Sequence, residues 1–237
     1  MASIKDAFDE VRQNNFAIFK YILFTIPLFL YVLFCTNSGF GISNFLICTL
    51  IMFIYLFGFL IKCTHNVRKG ANQVLPSLNI LTFIGTGIKG TVALGPAIII
   101  NTWLGILAQN KIIELFANEY VKITFLCASW GIFISIMLTT YILFAKNFKV
   151  TDAYNLKIIS DSCIDIITKV FFMIPGLLLI NLIITGSITY LFWTFMGIPN
   201  IYCTYIWCMS IMFNLAMLAH YFAQLEYESI DDYKDEK

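Results

Sequence analysis

Six long apolar stretches alternate with polar segments along the chain. They cover residues 16–35, 45–61, 91–108, 123–144, 170–193 and 205–223. A helix needs roughly 20 mostly apolar residues to cross a hydrocarbon core of about 30 Å, because each residue adds about 1.5 Å. The pattern therefore predicts six transmembrane helices, of which the second and third are short.

Three of the predicted spans begin with a lysine followed six or seven residues later by a proline. The three pairs are Lys20 and Pro27, Lys89 and Pro96, and Lys169 and Pro175. Proline removes a backbone donor and kinks a helix, and it leaves a carbonyl about four residues earlier without its usual partner. We therefore predict three kinks at similar depth, with neighbouring helices supplying the missing donors.

An amphipathic segment precedes each of these spans. The pattern is clearest where Leu156, Ile159 and Cys163 share one helical face while Lys157 and Asp161 lie on the other. Such a helix is expected to lie flat at the membrane interface. Each repeat is therefore predicted to contain a cytoplasmic interfacial helix, a kinked outward span and a returning span.

The sequence thus predicts an all-α integral membrane protein built from three parallel hairpin repeats with approximate threefold symmetry. The repeats cover approximately residues 3–61, 77–144 and 152–223. They form a single predicted membrane domain over 1–223. The segment 224–237 is acidic and poor in apolar residues, which predicts a flexible cytoplasmic tail.

Composition excludes a water-soluble fold. Hydrophobic residues make up 59% of the chain and charged residues 12%, with a mean hydropathy of +0.82, whereas soluble domains carry roughly 25% charged residues. The net charge of +1 argues against a nucleic-acid partner. The expected partner is the lipid bilayer.

Basic residues indicate the orientation of the predicted spans. All Lys and Arg residues except Lys111 and Lys122 fall on one side of the six-span arrangement. Because basic residues concentrate in cytoplasmic loops, both termini are predicted to be cytoplasmic.

Cations near the inner ends of the spans are candidate contacts for anionic lipid headgroups. They are Lys20, Lys62, Arg68, Lys69, Lys89 and Lys169. Each cation near an anionic surface contributes about 1 kcal/mol. The alternative is that these charges only set the topology.

Polar residues inside the spans are candidates for contacts between helices or for a solute path. They include Asn101, Thr139, Asn181 and Asn214. Both interpretations remain open at the level of sequence.

Catalytic groups are scarce in the predicted membrane region. No Asp or Glu occurs from residue 11 to 113 or from 166 to 225, and His220 is expected to be an interfacial or packing residue without a carboxylate partner. Acid–base catalysis and proton coupling need such groups in a sheltered site. We therefore predict no enzyme activity, no catalytic residue, no metal site and no cofactor.

Two further motifs have structural interpretations. The run 85–90 matches G-x-G-x-x-G, but no strand precedes it, so its glycines are expected to ease close helix packing. Cys35 and Cys203 fall at predicted outer span ends and can pair in an oxidising compartment, although small apolar fillers are the expected role of most cysteines here.

The run 66–76, followed by the glycine-bearing segment 83–90 and a proline-containing span, resembles the prokaryotic membrane family called domain of unknown function 4013. Members of this family show an Arg-Gly-acidic-Leu-Pro stretch. Here Asn72 and Gln73 replace the acidic residue, and Ser77 stands where an aromatic residue is common. The resemblance implies a bacterial or archaeal plasma membrane and supplies no activity or catalytic residue.

Two functions follow from these observations. The first is a non-enzymatic scaffold that organises lipids or a protein partner at the cytoplasmic face of the membrane. The second is a channel or facilitator for a small neutral or weakly polar solute, lined by the kinked spans.

Overall fold

In the computed structural model, helices are the only regular secondary structure of the residues that it describes. These are 7, 9–10, 17–36, 41–69, 74–197 and 199–226, without the side chains of 170–175, 177–178 and 180–181. Residues 7 and 9–10 are helical, and seven further helices follow. They are α1 Ala17–Thr36, α2 Ile42–Arg68, α3 Ile80–Leu115, α4 Glu119–Asn147, α5 Val150–Ala153, α6 Leu156–Met196 and α7 Asn200–Glu226.

Five of these helices, α1 to α4 and α7, are long and apolar enough to cross a membrane. In α6, the stretch Leu182–Met196 is apolar but shorter. Large apolar side chains point outward from the middle of the helices, and only 6% of the most apolar window of α4 is buried. Apolar surface of this extent is expected to contact lipid.

The predicted interfacial helices are not separate elements where the structure describes them. The second and third segments are the first turns of α3 and α6, which continue unbroken for 36 and 41 residues. No helix-breaking turn separates the amphipathic pattern from the apolar one, so hydrogen bonding continues through both. The first predicted segment lies mostly outside the described residues.

Asparagine side chains cap the first turns of α3 and α4. Asn79 Oδ1 accepts from the Thr82 amide at 3.3 Å at the start of α3. Asn118 Oδ1 accepts from the Tyr120 amide at 3.0 Å at the start of α4. These bonds pair donors that a helix start leaves free.

The described contacts divide the chain into two compact units. The first comprises Met1–Ile88 and Ile174–Gln224, and the second comprises Lys89–Met173 and Leu225–Lys237. One membrane domain with threefold symmetry stays a prediction.

In the first unit, α1 runs antiparallel to both α2 and α7. The Tyr31 hydroxyl lies 2.8 Å from that of Thr49 on α2. Along α7, the Tyr21 ring packs against Phe213 and the Phe29 ring against Tyr205. In both helix pairs, a residue later in α1 contacts a residue earlier in the partner helix, so α1 is antiparallel to α2 and to α7.

Aromatic rings form the centre of this unit. Phe24, Phe59 and Phe83 come from three helices and meet edge to face, with centroids 5.3 to 5.9 Å apart. This geometry suits the charge distribution of aromatic rings. The segment Val74, Leu75 joins the same core, and Val74 O accepts from Asn66 Nδ2 at 3.2 Å.

In the second unit, the later part of α3 pairs with α4. Trp130 Nε1 donates to Gln109 Oε1 at 3.1 Å. The same indole lies 3.0 Å from the position that a Cβ on Gly105 would occupy. At its other end α4 stops at Phe148, which adopts a left-handed conformation with φ 54°.

Candidate functional site

The described residues of the first unit form an apolar crevice. It has a volume of about 510 Å³. Three helices line it. The lining includes Ala17, Ile18 and Tyr21 of α1, Thr185 of α6, and Met209 and Ser210 of α7.

Helical spacing brings these side chains together. On α7 the lining residues Ile206, Met209, Ser210 and Phe213 recur every three or four positions and so occupy one face. The Tyr21 ring lies 5.6 Å from that of Phe213, centroid to centroid. The crevice therefore lies along the contact between α1 and α7.

Hydroxyl groups supply the polarity of the lining. Thr185 Oγ1 and Ser210 Oγ lie 2.7 Å apart and form a hydrogen bond between α6 and α7. No charged side chain is among the described residues of the lining. Such a surface can bind a hydrocarbon chain and can contact a weakly polar group through the two hydroxyls.

The predicted intramembrane polar residues occupy different environments. Asn101 is buried, and its Nδ2 donates to Ala97 O at 2.9 Å within α3 instead of bridging to another helix. Thr139 is buried and donates to Ser135 O within α4. Asn214 has a buried Oδ1 without a partner among the described residues. The side chain of Asn181 lies outside the described residues.

The polar bridge in the second unit comes from a residue that the sequence analysis did not select. Ser135 Oγ donates to Cys163 O at 2.7 Å and links α4 to α6. Serine is common enough in spans that its identity alone gives no signal, and only the packing of the two helices distinguishes it.

Two of the predicted proline sites are described. Both α1 and α3 continue through their prolines, Pro27 and Pro96. In the first unit, the carbonyls on either side of Leu23 accept tyrosine hydroxyls: Tyr55 donates to Phe24 O at 2.8 Å and Tyr205 to Ile22 O at 2.6 Å. In the second, Tyr154 donates to Ala93 O at 2.6 Å.

These tyrosines supply donors next to the carbonyls that the prolines leave unpaired. The donors come from neighbouring segments and reach the carbonyls adjacent to those of Leu23 and Val92, so the predicted pairing of the freed carbonyls themselves stays a prediction. The side chain of Pro175 lies outside the described residues.

Predicted headgroup contacts gather at one end of the α1–α2 hairpin. The pairing of Tyr31 with Thr49 and of Tyr55 with Phe24 places Lys20 within about one turn of the level of Lys62. Arg68 and Lys69 follow at the end of α2. Lys89 and Lys169 belong to the second unit, where Lys89 is exposed and Lys169 is half-buried.

His220 has a carboxylate partner that its sequence neighbourhood does not show. Its Nε2 lies 2.6 Å from Glu10 Oε2, although the two residues are 210 positions apart. The imidazole is 2% exposed and the carboxylate side chain 59%. The pair ties the N-terminal segment to α7, and it could not be found from local spacing.

Charge is also buried near the end of α7 in the second unit. Glu226 Oε1 lies 3.1 Å from Lys146 Nζ, and the Glu226 side chain is fully buried. The predicted tail began at residue 224, but α7 continues through Glu226. Leu225 is also buried, and this apolar anchor keeps the last turn helical.

Glycines 58 and 87 allow α2 and α3 to approach closely. A Cβ on Gly58 would overlap the Phe83 carbonyl, and one on Gly87 would overlap the Ile54 carbonyl. Gly85, from the same G-x-G-x-x-G run, has open space around it. Close packing is therefore confirmed for Gly87 and is wrong for Gly85.

The seven cysteines are free thiols, with Cys35 exposed and Cys203 half-buried. The chemistry available at the crevice is therefore that of apolar side chains and neutral hydroxyls.

Comparisons of the chain with protein-family models, with curated proteins and with solved structures find no match.

Proposed function

We propose that the chain is a non-enzymatic membrane protein that organises lipid at the cytoplasmic leaflet. In this proposal it has six spans, with α6 as the fifth, and both termini face the cytoplasm of a bacterial or archaeal cell. The observation that carries the proposal is the alignment of Lys20 with Lys62 at one end of an apolar helical hairpin.

Cations at the end of apolar helices suit lipid headgroups. The hydrocarbon tails contact the helix sides, while amines on long flexible chains reach the phosphate layer. Lys69 at the end of α2 is exposed and extends the cationic end further. An anionic lipid is therefore expected to accumulate beside the α1–α2 hairpin.

The internal pairing of polar side chains supports lipid over solute as the ligand. Thr25 donates to Tyr21 O at 2.6 Å, Asn101 to Ala97 O at 2.9 Å and Thr139 to Ser135 O at 2.8 Å. A group that already bonds to its own helix is a poor ligand for a passing solute.

A channel or facilitator for a small neutral or weakly polar solute is the second candidate. The hydroxyl pair Thr185 and Ser210 favours it, because both groups line the crevice. The aromatic centre formed by Phe24, Phe59 and Phe83 opposes it, since the rings fill the space between α1, α2 and α3.

Lipid selectivity tests the proposal. The protein is reconstituted in zwitterionic vesicles with trace spin-labelled anionic or zwitterionic phospholipid, and electron paramagnetic resonance measures the motionally restricted fraction. At about 1 kcal/mol per cation, a severalfold preference for the anionic label is expected. The double variant Lys62→Gln and Lys69→Gln should lose most of it.

The matched control is the double variant Lys111→Gln and Lys122→Gln, which also removes two positive charges but on the predicted outer side. It should keep the preference. Equal restriction of both labels in the unmodified protein would refute the lipid role. Solute flux into vesicles that disappears when Asn101 and Asn181 become Leu would favour the channel.

A further inference from the structure

The crevice extends along α1 for about the thickness of one lipid leaflet. The ring pairs Tyr21 with Phe213 and Phe29 with Tyr205 fix the register of α1 against α7. In that register Ile206 lies near the level of residue 28, so the lining from Ala17 to Ile206 spans roughly 16 Å. Half of a hydrocarbon core is about 15 Å.

The volume and lining match a hydrocarbon ligand. At about 510 Å³ the crevice has the size of a small-molecule site. Ile18, Ile206, Met209 and Phe213 contribute apolar surface, and the two hydroxyls already bond to each other. No charged side chain is among these lining residues, so a charged group placed here would lose its hydration without gaining an ionic partner.

The crevice opens sideways. Ile18 lines it and is 75% exposed, and Ile188 on α6 lines it and is 40% exposed. A two-chain lipid can therefore place one chain in the crevice while the other stays in the bilayer, without leaving the membrane.

The crevice has Ala17 at one end, and Lys20 lies near that end. It follows the lining residues Ala17 and Ile18 and directly precedes Tyr21. Its amine can reach the headgroup layer on a four-carbon chain. An apolar slot one leaflet deep, with a cation at its headgroup end, is complementary to a phospholipid.

We infer that this crevice between α1, α6 and α7 binds one acyl chain of a phospholipid whose headgroup phosphate lies near Lys20. The inference rests on the proposed role in organising lipid and specifies the site. The crevice requires one lipid molecule that stays bound to the protein. Headgroup selectivity alone requires only that anionic lipids be enriched among the lipids around the protein.

Native mass spectrometry of the detergent-purified full chain tests the site. The unmodified protein is expected to retain one phospholipid. Met209→Trp and Ile206→Trp fill the crevice and should each reduce the retained fraction at least about tenfold. Ile211→Trp, next to Met209 but exposed and outside the lining, is the matched control and should retain the lipid.

Lys20→Gln should weaken retention severalfold, whereas Lys122→Gln should not. Thermal unfolding of each variant shows whether it is folded. If only one of Met209→Trp and Ile206→Trp folds, that variant alone tests the inference. The inference would be overturned if a folded Met209→Trp or Ile206→Trp variant retained as much phospholipid as the unmodified protein. It would also be overturned if the unmodified protein retained free fatty acid in place of phospholipid. No retained lipid together with intact anionic selectivity would refute the crevice and leave the proposed function standing.

Discussion

The Tyr55 hydroxyl donates to the Phe24 carbonyl oxygen at 2.8 Å, three residues before Pro27. In the second unit, Tyr154 donates to the Ala93 carbonyl at 2.6 Å, again three residues before a proline, Pro96. A helical proline leaves the carbonyl four residues earlier without a donor. In both units, therefore, a tyrosine hydroxyl donates to the carbonyl next to the one that the proline leaves unpaired. Lipid could not supply such a donor.

Removing these hydroxyls should destabilise the protein modestly. Tyr55→Phe and Tyr154→Phe are each expected to lower the free energy of unfolding by about 0.6–1.7 kcal/mol, the range for hydrogen bonds between membrane helices. Denaturant titration in mixed micelles measures the change. Tyr120→Phe is the control, because that side chain is 84% exposed, and it should have no effect. Equal stability of all three variants would contradict this account.

Adding a methyl group at the α2–α3 crossing should separate the two helices. Gly87→Ala and Gly58→Ala are expected to cost about 1–3 kcal/mol each, because a Cβ there overlaps a backbone carbonyl that cannot move alone. Thermal unfolding in detergent is the measurement.

Gly85→Ala supplies the matched control, since its Cβ would meet nothing within 4 Å. It should be neutral or slightly stabilising, as alanine favours a helix over glycine by about 1 kcal/mol. If Gly85→Ala were as harmful as Gly87→Ala, helix crossing would not be the cause.

Loss of the Glu10 carboxylate should loosen the N-terminal segment. Glu10→Ala is expected to cost about 1–3 kcal/mol, because it removes a carboxylate that contacts the buried His220 imidazole. Limited proteolysis should then cut before residue 17 more quickly. Asp161→Ala changes an exposed carboxylate of α6 and should leave the digestion pattern unchanged. Identical digestion of both variants would show that the pair does not tether this segment.

The ion pair in the second unit predicts non-additive effects. Lys146→Met should be strongly destabilising, by up to about 3–5 kcal/mol, because it removes a cation from a fully buried Glu226 carboxylate. Adding Glu226→Gln should recover part of the loss, since the charge itself is then absent. Unfolding of the two single variants and the double variant measures the coupling, and strict additivity would argue against it.

The positions of the long helices were predictable because hydrophobic run length alone specifies them. The predicted span 16–35 and α1, Ala17–Thr36, cover nearly the same described residues. An all-helical fold with several apolar helices is confirmed, whereas the sixth span and the repeat symmetry stay predictions. The continuity of α6 was missed because an amphipathic pattern and an apolar one can share a single helix.

Contacts between distant segments were not predictable from local spacing. Phe24 and Phe83 touch although they are 59 positions apart, and no periodicity along the chain marks them as partners. The partner of His220 was likewise hidden, because only the folded chain brings residue 10 to residue 220.

Helix α6 is much longer than a bilayer requires. Its 41 residues extend about 60 Å, twice the hydrocarbon thickness. A single crossing along the membrane normal would use only about 20 of these residues. Its early turns carry the exposed residues Lys157, Asp161 and Asp165. These charged side chains favour water over hydrocarbon, so the first turns of α6 suit the aqueous phase and the later apolar turns suit lipid.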